Sequence, residues 1–513
     1  MTIGDTVLPI SNRRIQRWSP VEVGMAKNVL VRFLVLVLIS SLLSCGGSSG
    51  GSEGSGAGGF IEGAPQILSV DPTANDSAVQ PDAAIASSFD QVMIAGTGDS
   101  FVVIGSQSGK LTGTFTGGGT TTLGFDSFHR FKTGEEIDVI LTGSLTSNEG
   151  RSLGLPYVYR FRTETLSGPG QFVATQNITG QSGAIALAAG DWDNDGDIDM
   201  AVANPSANRV AVLENDGAGQ FSSAGQILNQ PGARALVAGD WDGDGDIDLA
   251  VANHSVHRLD VLKNDGAGNF SQSFTFSGLW GPYGLTAGDW DGDGDLDLVV
   301  ANLDGDWVVT LTNDGTGSFG VQRLIWDQIG PATFATGDWD GDGDLDIIVA
   351  NFIGDWVDVL GNAGGGSFSV TQRILARLGT LAVVDGDWDG DGDVDLAFAN
   401  SFNSTVDVVE NDGSGRFTVA QTLTDQSGAQ ALVEGDWEGD GDVDLAVANA
   451  YFGANRIDIL ENDGAGGFAV VQRISGQPGA IALVAADWDG DGDLDLAVAN
   501  SGDSSVAVLT YQP

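Results

Sequence analysis

The chemistry in this chain is concentrated in one acidic segment that recurs. Asp191-Trp192-Asp193-Asn194-Asp195-Gly196-Asp197-Ile198-Asp199 returns with its first aspartate at 240, 289, 338, 387, 436 and 487. Unpaired, so many carboxylates in nine residues repel one another. In a tight loop the side chains at positions 1, 3, 5 and 9 converge and the backbone carbonyl at position 7 joins them. Glycine at position 6 permits the sharp turn. Hard oxygen donors in that number suit Ca²⁺, whereas Zn²⁺ favours Cys and His. The pattern opens like an EF-hand loop, but its twelfth position is apolar, Val251 in the second unit. A helical 3.6-residue period is missing on both sides, which excludes an EF-hand.

The elements that hold these loops repeat with them. The spacing is 49 residues five times and then 51, with two extra residues within Ala450–Arg456. Phe172, Phe221, Phe270, Phe319, Phe368, Phe417 and Phe468 move in step, as do Asn204, Asn253, Asn302, Asn351, Asn400, Asn449 and Asn500. Each unit reads as four short strands, in the second unit Phe221–Leu228, Arg234–Gly239, Ile247–Ala252 and Leu259–Lys263. Asn264-Asp-Gly supplies the positive φ of a hairpin turn. Seven units of four strands predict an all-β fold whose main body is a seven-bladed β-propeller over 171–513. A solenoid is the alternative, but it needs distinct capping units. The last unit lacks a fourth strand and the first begins with a spare one. Gln171–Thr179 is therefore expected to pair with Ser505–Tyr511 and close the ring. The tryptophan at position 2 of each loop (Trp192, Trp241, Trp290, Trp339, Trp388, Trp437, Trp488) is expected to pack between blades.

These units resemble FG-GAP/VCBS repeats, the calcium-binding blades of integrin-α-type propellers. The resemblance covers residues 171–513. Carried onto this sequence, it implies up to seven structural Ca²⁺ ions. The first three loops offer Asp191, Asp193, Asp195, Asp197 and Asp199; Asp240, Asp242, Asp244, Asp246 and Asp248; and Asp289, Asp291, Asp293, Asp295 and Asp297. The fourth and fifth offer Asp338, Asp340, Asp342, Asp344 and Asp346, then Asp387, Asp389, Asp391, Asp393 and Asp395. The sixth departs, with Glu438 at position 3 beside Asp436, Asp440, Asp442 and Asp444; the seventh offers Asp487, Asp489, Asp491, Asp493 and Asp495. The residue at position 7 enters through its carbonyl. With Glu one methylene too long, the sixth loop is expected to be the weakest.

Upstream, Phe60 to Thr165 has turn signals every 8–12 residues around five β-prone runs: Gln66–Val70, Ala84–Phe89, Phe101–Gly105, Glu136–Leu141 and Tyr157–Arg162. That spacing predicts a small β-sandwich over 60–165. Pro65-x-Ile-Leu-Ser-Val-Asp-Pro72 and the closing Tyr157-Val-Tyr-Arg-Phe161 are similar to bacterial Ig-like domains, which commonly serve as spacers. Residues 1–45 read as a leader. Val29–Leu43 is a short apolar run after Lys27, and it ends in Leu42-Leu43-Ser44-Cys45, which resembles a lipobox with Cys45 as the lipidated residue. Met25-Ala-Lys-Asn would open an ordinary signal peptide, so Met25 is an alternative start. Residues 46–59, rich in Gly and Ser, form a flexible tether. They contain a G-x-S-x-G match at 50–54 without the strand and helix that motif needs.

The formal charge of −49 repels phosphate backbones and argues against nucleic-acid binding. One cysteine in 513 residues leaves no intrachain disulfide. Only three histidines exist, His129, His254 and His257, and the clustered carboxylates are committed to metal, so an enzyme is not expected. The function expected is that of a lipid-anchored module of the bacterial cell envelope, at the outer membrane or cell surface, binding a protein or glycan. The alternatives are a propeller-scaffold enzyme acting on polysaccharide and a purely structural surface protein. The loops opposite the aspartates differ between units and carry aromatics. Trp280, Tyr283, Trp307, Phe352, Trp356, Phe402, Tyr451 and Phe452 are the expected ligand face.

Overall fold

Side-chain alternation organises both parts of the molecule. The computed structural model describes residues 63–166, 168–451 and 453–513; Cys45, the leader, the tether and Phe452 lie outside the described residues. In the N-terminal domain, Ile67–Asp71, Ile85–Phe89, Thr122–Ser127 and Gly113–Thr116 form one antiparallel sheet. Gly109–Lys110, Phe101–Gly105, Glu136–Leu141 and Tyr157–Arg162 form the other. Five strands were legible in the sequence and eight are present. Those missed, Gly109–Lys110, Gly113–Thr116 and Thr122–Ser127, are rich in Gly, Thr and Ser and carry little apolar signal. Phe101, Val103, Ile137, Val139, Leu141, Tyr159 and Phe161 face inward and make the sandwich core.

The repeats make seven four-stranded antiparallel sheets. In the second, Ala233–Gly239, Asp248–Asn253, Arg258–Asn264 and Phe270–Ser277 pair in chain order. The strand bounds differ from the sequence reading by one residue at most. The second strand of every blade is buried on both faces. Period two then gives each face a different job. Met200 and Val202 pack on the seventh blade, while Ala201 and Ala203 pack on the second. Likewise Leu396 and Phe398 meet the fourth blade, and Ala397 and Ala399 meet the sixth. Large side chains on one face meet a small-residue face on the neighbour, which sets blades close together.

The packing runs round a closed circle, because the cluster joining blades seven and one has the same composition as the others. Gln171–Thr179 pairs with Ser505–Gln512, from Gln171 opposite Gln512 to Thr179 opposite Ser505, as the missing strand required. First strands neighbour one another around the middle and line the centre of the disc.

The sandwich does not stand off as a spacer. The residues alternating with its core, Val102, Ile104, Ile140 and Val158, share one buried cluster with Trp290, Val299 and Leu345 of blades three and four. On the same face of its sheet, Arg160 binds Asp138 at 2.7 Å and Arg162 binds Glu136 at 2.7 Å and Glu434 of blade six at 3.2 Å. Asp385 of blade five is pushed up to about 8, first by burial and then by Glu136 nearby. This domain therefore covers the aspartate-bearing end of the disc.

Candidate metal centres

Each acidic segment links the first two strands of its blade, and the hydrogen bonds explain its shape. The position-6 glycine has φ between +89° and +102° (Gly343 and Gly196 at the extremes), a region closed to residues with a Cβ. Its N–H turns inward and donates to the position-1 carboxylate at 2.8–3.1 Å in all seven loops. The position-9 aspartate sits at the start of the second strand. In blade two, Asp248 Oδ2 accepts from the Trp241 N–H at 3.3 Å and Oδ1 from the Asn264 N–H at 2.7 Å. It thereby fixes the loop against the third strand.

This frame brings the carboxylates of positions 1, 3 and 9 together, whereas position 5 is not in these groups. One oxygen each of Asp191, Asp193 and Asp199 lie within 4.8 Å of one another. So do those of Asp240, Asp242 and Asp248; Asp289, Asp291 and Asp297; Asp338, Asp340 and Asp346; and Asp387, Asp389 and Asp395. Position 5 lies beside position 3: its N–H donates to the position-3 carboxylate at 3.2 Å in blades one and five, Asp195 to Asp193 and Asp391 to Asp389. The position-7 side chains turn away. Asp246 accepts from Asn194 of blade one at 2.8 Å, so only its carbonyl remains for the loop.

Two properties of the loops fit a hard cation. Asp191 Oδ1, Asp242 Oδ1, Asp291 Oδ1 and Asp489 Oδ1 are buried acceptors with no hydrogen-bond donor. Burial, reinforced by neighbouring carboxylates, pushes Asp297 up to about 9, Asp346 and Asp495 to about 8, and Asp199, Asp248 and Asp395 to about 7. A group of carboxylates that resists ionising alone is what a divalent cation stabilises.

Two loops depart from the pattern. In blade six the longer Glu438 reaches Asp444; burial and this contact push Asp444 up to about 10. In blade two Lys263 lies 2.8 Å from Asp244 and also contacts Asp242, so an ammonium already serves that loop. Sequence reasoning missed Lys263, although its counterparts in other units are Glu214, Thr312, Gly361, Glu410, Glu461 and Thr510.

The loop tryptophans are buried to within 1%. Trp192 meets Phe270 of the next blade edge-on at 5.7 Å, and Trp488 meets Phe221 across the closure at 5.4 Å. Sequence reasoning also missed the hairpin asparagines. Asn264 Nδ2 donates to the Trp192 carbonyl at 2.7 Å, and Asn313, Asn362, Asn411 and Asn462 repeat the bond to the preceding blade. Their recurrence in register with the aspartates was the available signal.

The N-terminal domain reads the loops from outside. The position-6 carbonyls of Gly343 and Gly492 accept from the Val158 and Leu166 N–H groups at 2.7 and 3.0 Å. Those of Gly392 and Gly441 accept from Asn75 and Ser77 at 3.0 and 3.1 Å, and that of Gly196 accepts from Lys132.

On the opposite face the aromatics divide. Trp307 is half-buried against Trp326 at 5.9 Å, and Trp356 lies beneath Arg373 with its Nε1 donating to Asp358 at 3.1 Å. Tyr283 lies under Arg234, and Phe352 is half-buried against Phe402. Trp280, Phe402 and Tyr451 are exposed.

Comparison with known families agrees with this geometry. The FG-GAP-like repeat profile matches residues 191–251, 240–300, 289–349, 387–447 and 436–498, and a bacterial Ig-like domain profile matches 62–163. No curated protein matches the sequence. Among solved structures, virginiamycin B lyase from Staphylococcus aureus is similar at 15% identity and TM-score 0.46, over 66% of this chain and 99% of its own. A protein from Lactobacillus plantarum is similar at 14% identity and TM-score 0.46, over 75% of this chain and 98% of its own. Likeness at that level says nothing about what is bound.

Proposed function

This chain belongs to the FG-GAP-like repeat family, with a bacterial Ig-like domain ahead of its repeats, and we propose that it is a lipid-anchored surface protein whose calcium-stabilised propeller binds a protein or glycan. The observation that carries the reading is the asymmetry of the disc. One face holds seven near-identical loops under the Ig-like domain; the other presents loops that differ from blade to blade. Calcium is the metal that fits, because each loop offers carboxylate and carbonyl oxygens and no nitrogen or sulfur. The ions would tie first strand to second and hold the glycine carbonyls that the Ig-like domain uses. The role is binding and not catalysis, since the acidic side chains are consumed by the loops. Cys45 would carry the lipid, with residues 46–59 as the tether to the bacterial envelope.

The test has two arms. Lipid labelling in cells should mark the full chain and vanish in Cys45→Ser. Peptide and glycan panels should find a ligand for the full chain in calcium. A chain that is not labelled loses its anchor, and one that binds neither class loses its role as a binding module.

A further inference from the structure

The variable face carries an apolar crescent at equivalent loop positions of four consecutive blades. In the loop entering each blade, the residue after Gln181, Gln230, Leu279, Gln328, Arg377, Gln426 and Gln477 is Ser182, Pro231, Trp280, Ile329, Leu378, Ser427 and Pro478 in turn. In the loop between second and third strands, the second residue after the strand-ending Asn is Ser206, Ser255, Asp304, Ile353, Phe402, Tyr451 and Gly502. Apart from the prolines of blades two and seven, apolar side chains thus occupy these positions only from blade three to blade six. Trp280, Ile329, Ile353, Leu378, Phe402 and Tyr451 are all between 40% and 63% exposed.

Within a blade the two loops adjoin, and a ring contact joins blades four and five. The two loops of a blade touch: a Cβ added at Gly330 would lie 2.5 Å from Ile353, one at Gly379 2.7 Å from Phe402, and one at Gly428 2.4 Å from Tyr451. Phe352 joins blades four and five through its ring contact with Phe402 at 5.4 Å. A run of exposed apolar side chains of this extent marks an interaction surface. Serine, aspartate and glycine at the same positions elsewhere show that the fold does not need apolar groups there.

Two features specify the partner. Ile329, Ile353 and Leu378 are branched aliphatics with no π-face for a sugar ring to stack on, whereas they match the side-chain anchors of a polypeptide. The loops bordering the crescent also carry Asp304, Asp306, Asp327 and Asp355. Of the cations near the crescent, Arg373, Arg377 and Arg456 are paired with Asp358, Asp407 and Asp458 at 2.6, 3.0 and 2.6 Å, and Arg234 lies over the Tyr283 ring. The field over the crescent is therefore negative, and complementarity calls for a cationic partner.

We propose that this crescent docks a polypeptide segment with aliphatic or aromatic anchors flanked by Lys or Arg. The inference rests on the binding-module reading and narrows it to a protein partner. The probes are synthetic peptides in which Leu, Phe or Trp alternate with Lys, their Glu-for-Lys counterparts, and a panel of neutral and acidic glycans, all against the full chain in calcium. The Lys peptides should bind, weaken as salt rises, and lose about tenfold or more in each of Leu378→Ser and Phe402→Ser. The Glu peptides should not bind. Both variants change exposed side chains, and an unchanged calcium-dependent melting curve confirms their fold. Lys peptides that keep their affinity in both variants would be held by general charge alone, and the inference falls. Glycan binding lost in Trp280→Ala, with peptides ignored, overturns the inference and keeps the binding module. Self-association lost in the same variants places a second copy on the crescent, which also overturns it. Binding of no probe to any variant or to the parent overturns both readings.

Discussion

The two faces of the disc are built from the same strands and the same number of loops, yet they are made on opposite rules. On the aspartate face the loops repeat almost residue for residue, because each must place the same carboxylates, the same left-handed glycine and the same outward carbonyl. A second domain then rests on those carbonyls in five of seven loops. On the other face the Asn that ends the second strand and the positive-φ glycine of the entering loop (Gly183 to Gly479) are fixed, while the residues beside them range from Ser206 to Phe402 and Tyr451. One face spends its sequence on holding the ring together, which leaves the other available for recognition.

The change that should erase both faces is removal of residues 171–179. It leaves Ser505–Gln512 as an unpaired edge next to a buried blade interface. We expect aggregation or loss of a cooperative melting transition; a soluble deletion that melts as the full chain does would break the ring. Calcium removal should separate the faces. Loops of this kind in extracellular modules bind at about 10⁻⁴–10⁻³ M, and tenfold excess adds about 1.4 kcal/mol per loop. Seven such loops should raise Tm by on the order of 15–20 °C, at about 2 °C per kcal/mol for a domain of this size. EDTA should also loosen the Ig-like domain, seen as faster amide exchange at Val158 and Leu166, whereas open-face variants should leave both readouts alone.

The pH dependence of the metal-free protein follows from the same face. Asp297, Asp346 and Asp495 hold their protons up to about 9, 8 and 8, against 3.8 ordinarily. The folded state therefore binds more protons than the unfolded state between these limits, so stability falls as pH rises. In EDTA, Tm should drop steadily from pH 5 to pH 9. In saturating calcium the ions replace the protons and the slope should flatten. A metal-free Tm that rises across that interval would contradict the crowding of these carboxylates.

What was legible in the sequence divides along the same line. A motif seven times in register gave away the blades, their order, the closing strand and the convergent aspartates, because repetition separates necessity from chance. Trp307 and Trp356 are expected on the ligand face from the sequence, and the structure adds that Trp326 and Arg373, in the outer strand of the same blade, pack on them. No period signals such a side-chain neighbour. The docking of the Ig-like domain was invisible for a related reason. Arg160 and Arg162 alternate with Tyr159 and Phe161 as any solvent-facing pair would, and only the tertiary arrangement shows Glu434 opposite. The crescent lies between these cases: its aromatics stand out in the sequence, but Ile329, Ile353 and Leu378 have meaning only once the two loops of a blade are known to adjoin.

Within the aspartate face, the two departing loops sharpen the comparison. Lys263 supplies blade two with a permanent cation at Asp242 and Asp244. Thr312 and Thr510 show that the register accepts threonine. Lys263→Thr should lower Tm in EDTA by a few degrees and enlarge the rise produced by calcium, since the ammonium no longer competes for the loop. An unchanged calcium increment would mean that lysine and metal do not share those carboxylates.

The smallest effect expected is at Glu438. Its extra methylene carries the carboxyl to Asp444, and the pair holds a proton with Asp444 pushed up to about 10. A cation entering this loop must displace that proton, a cost the aspartate loops bear less heavily. Glu438→Asp shortens the reach, separates the pair and restores the pattern of the other six loops. We expect calcium affinity at this one loop to tighten about tenfold, equivalent to about 1.4 kcal/mol. Tm should rise by about 2 °C in subsaturating calcium. In EDTA the variant should gain nothing, because the same carboxylate crowding remains without an ion to relieve it. A gain of equal size in EDTA would show that Glu438 merely strains the turn, and blade six would then be no different from its neighbours as a metal site.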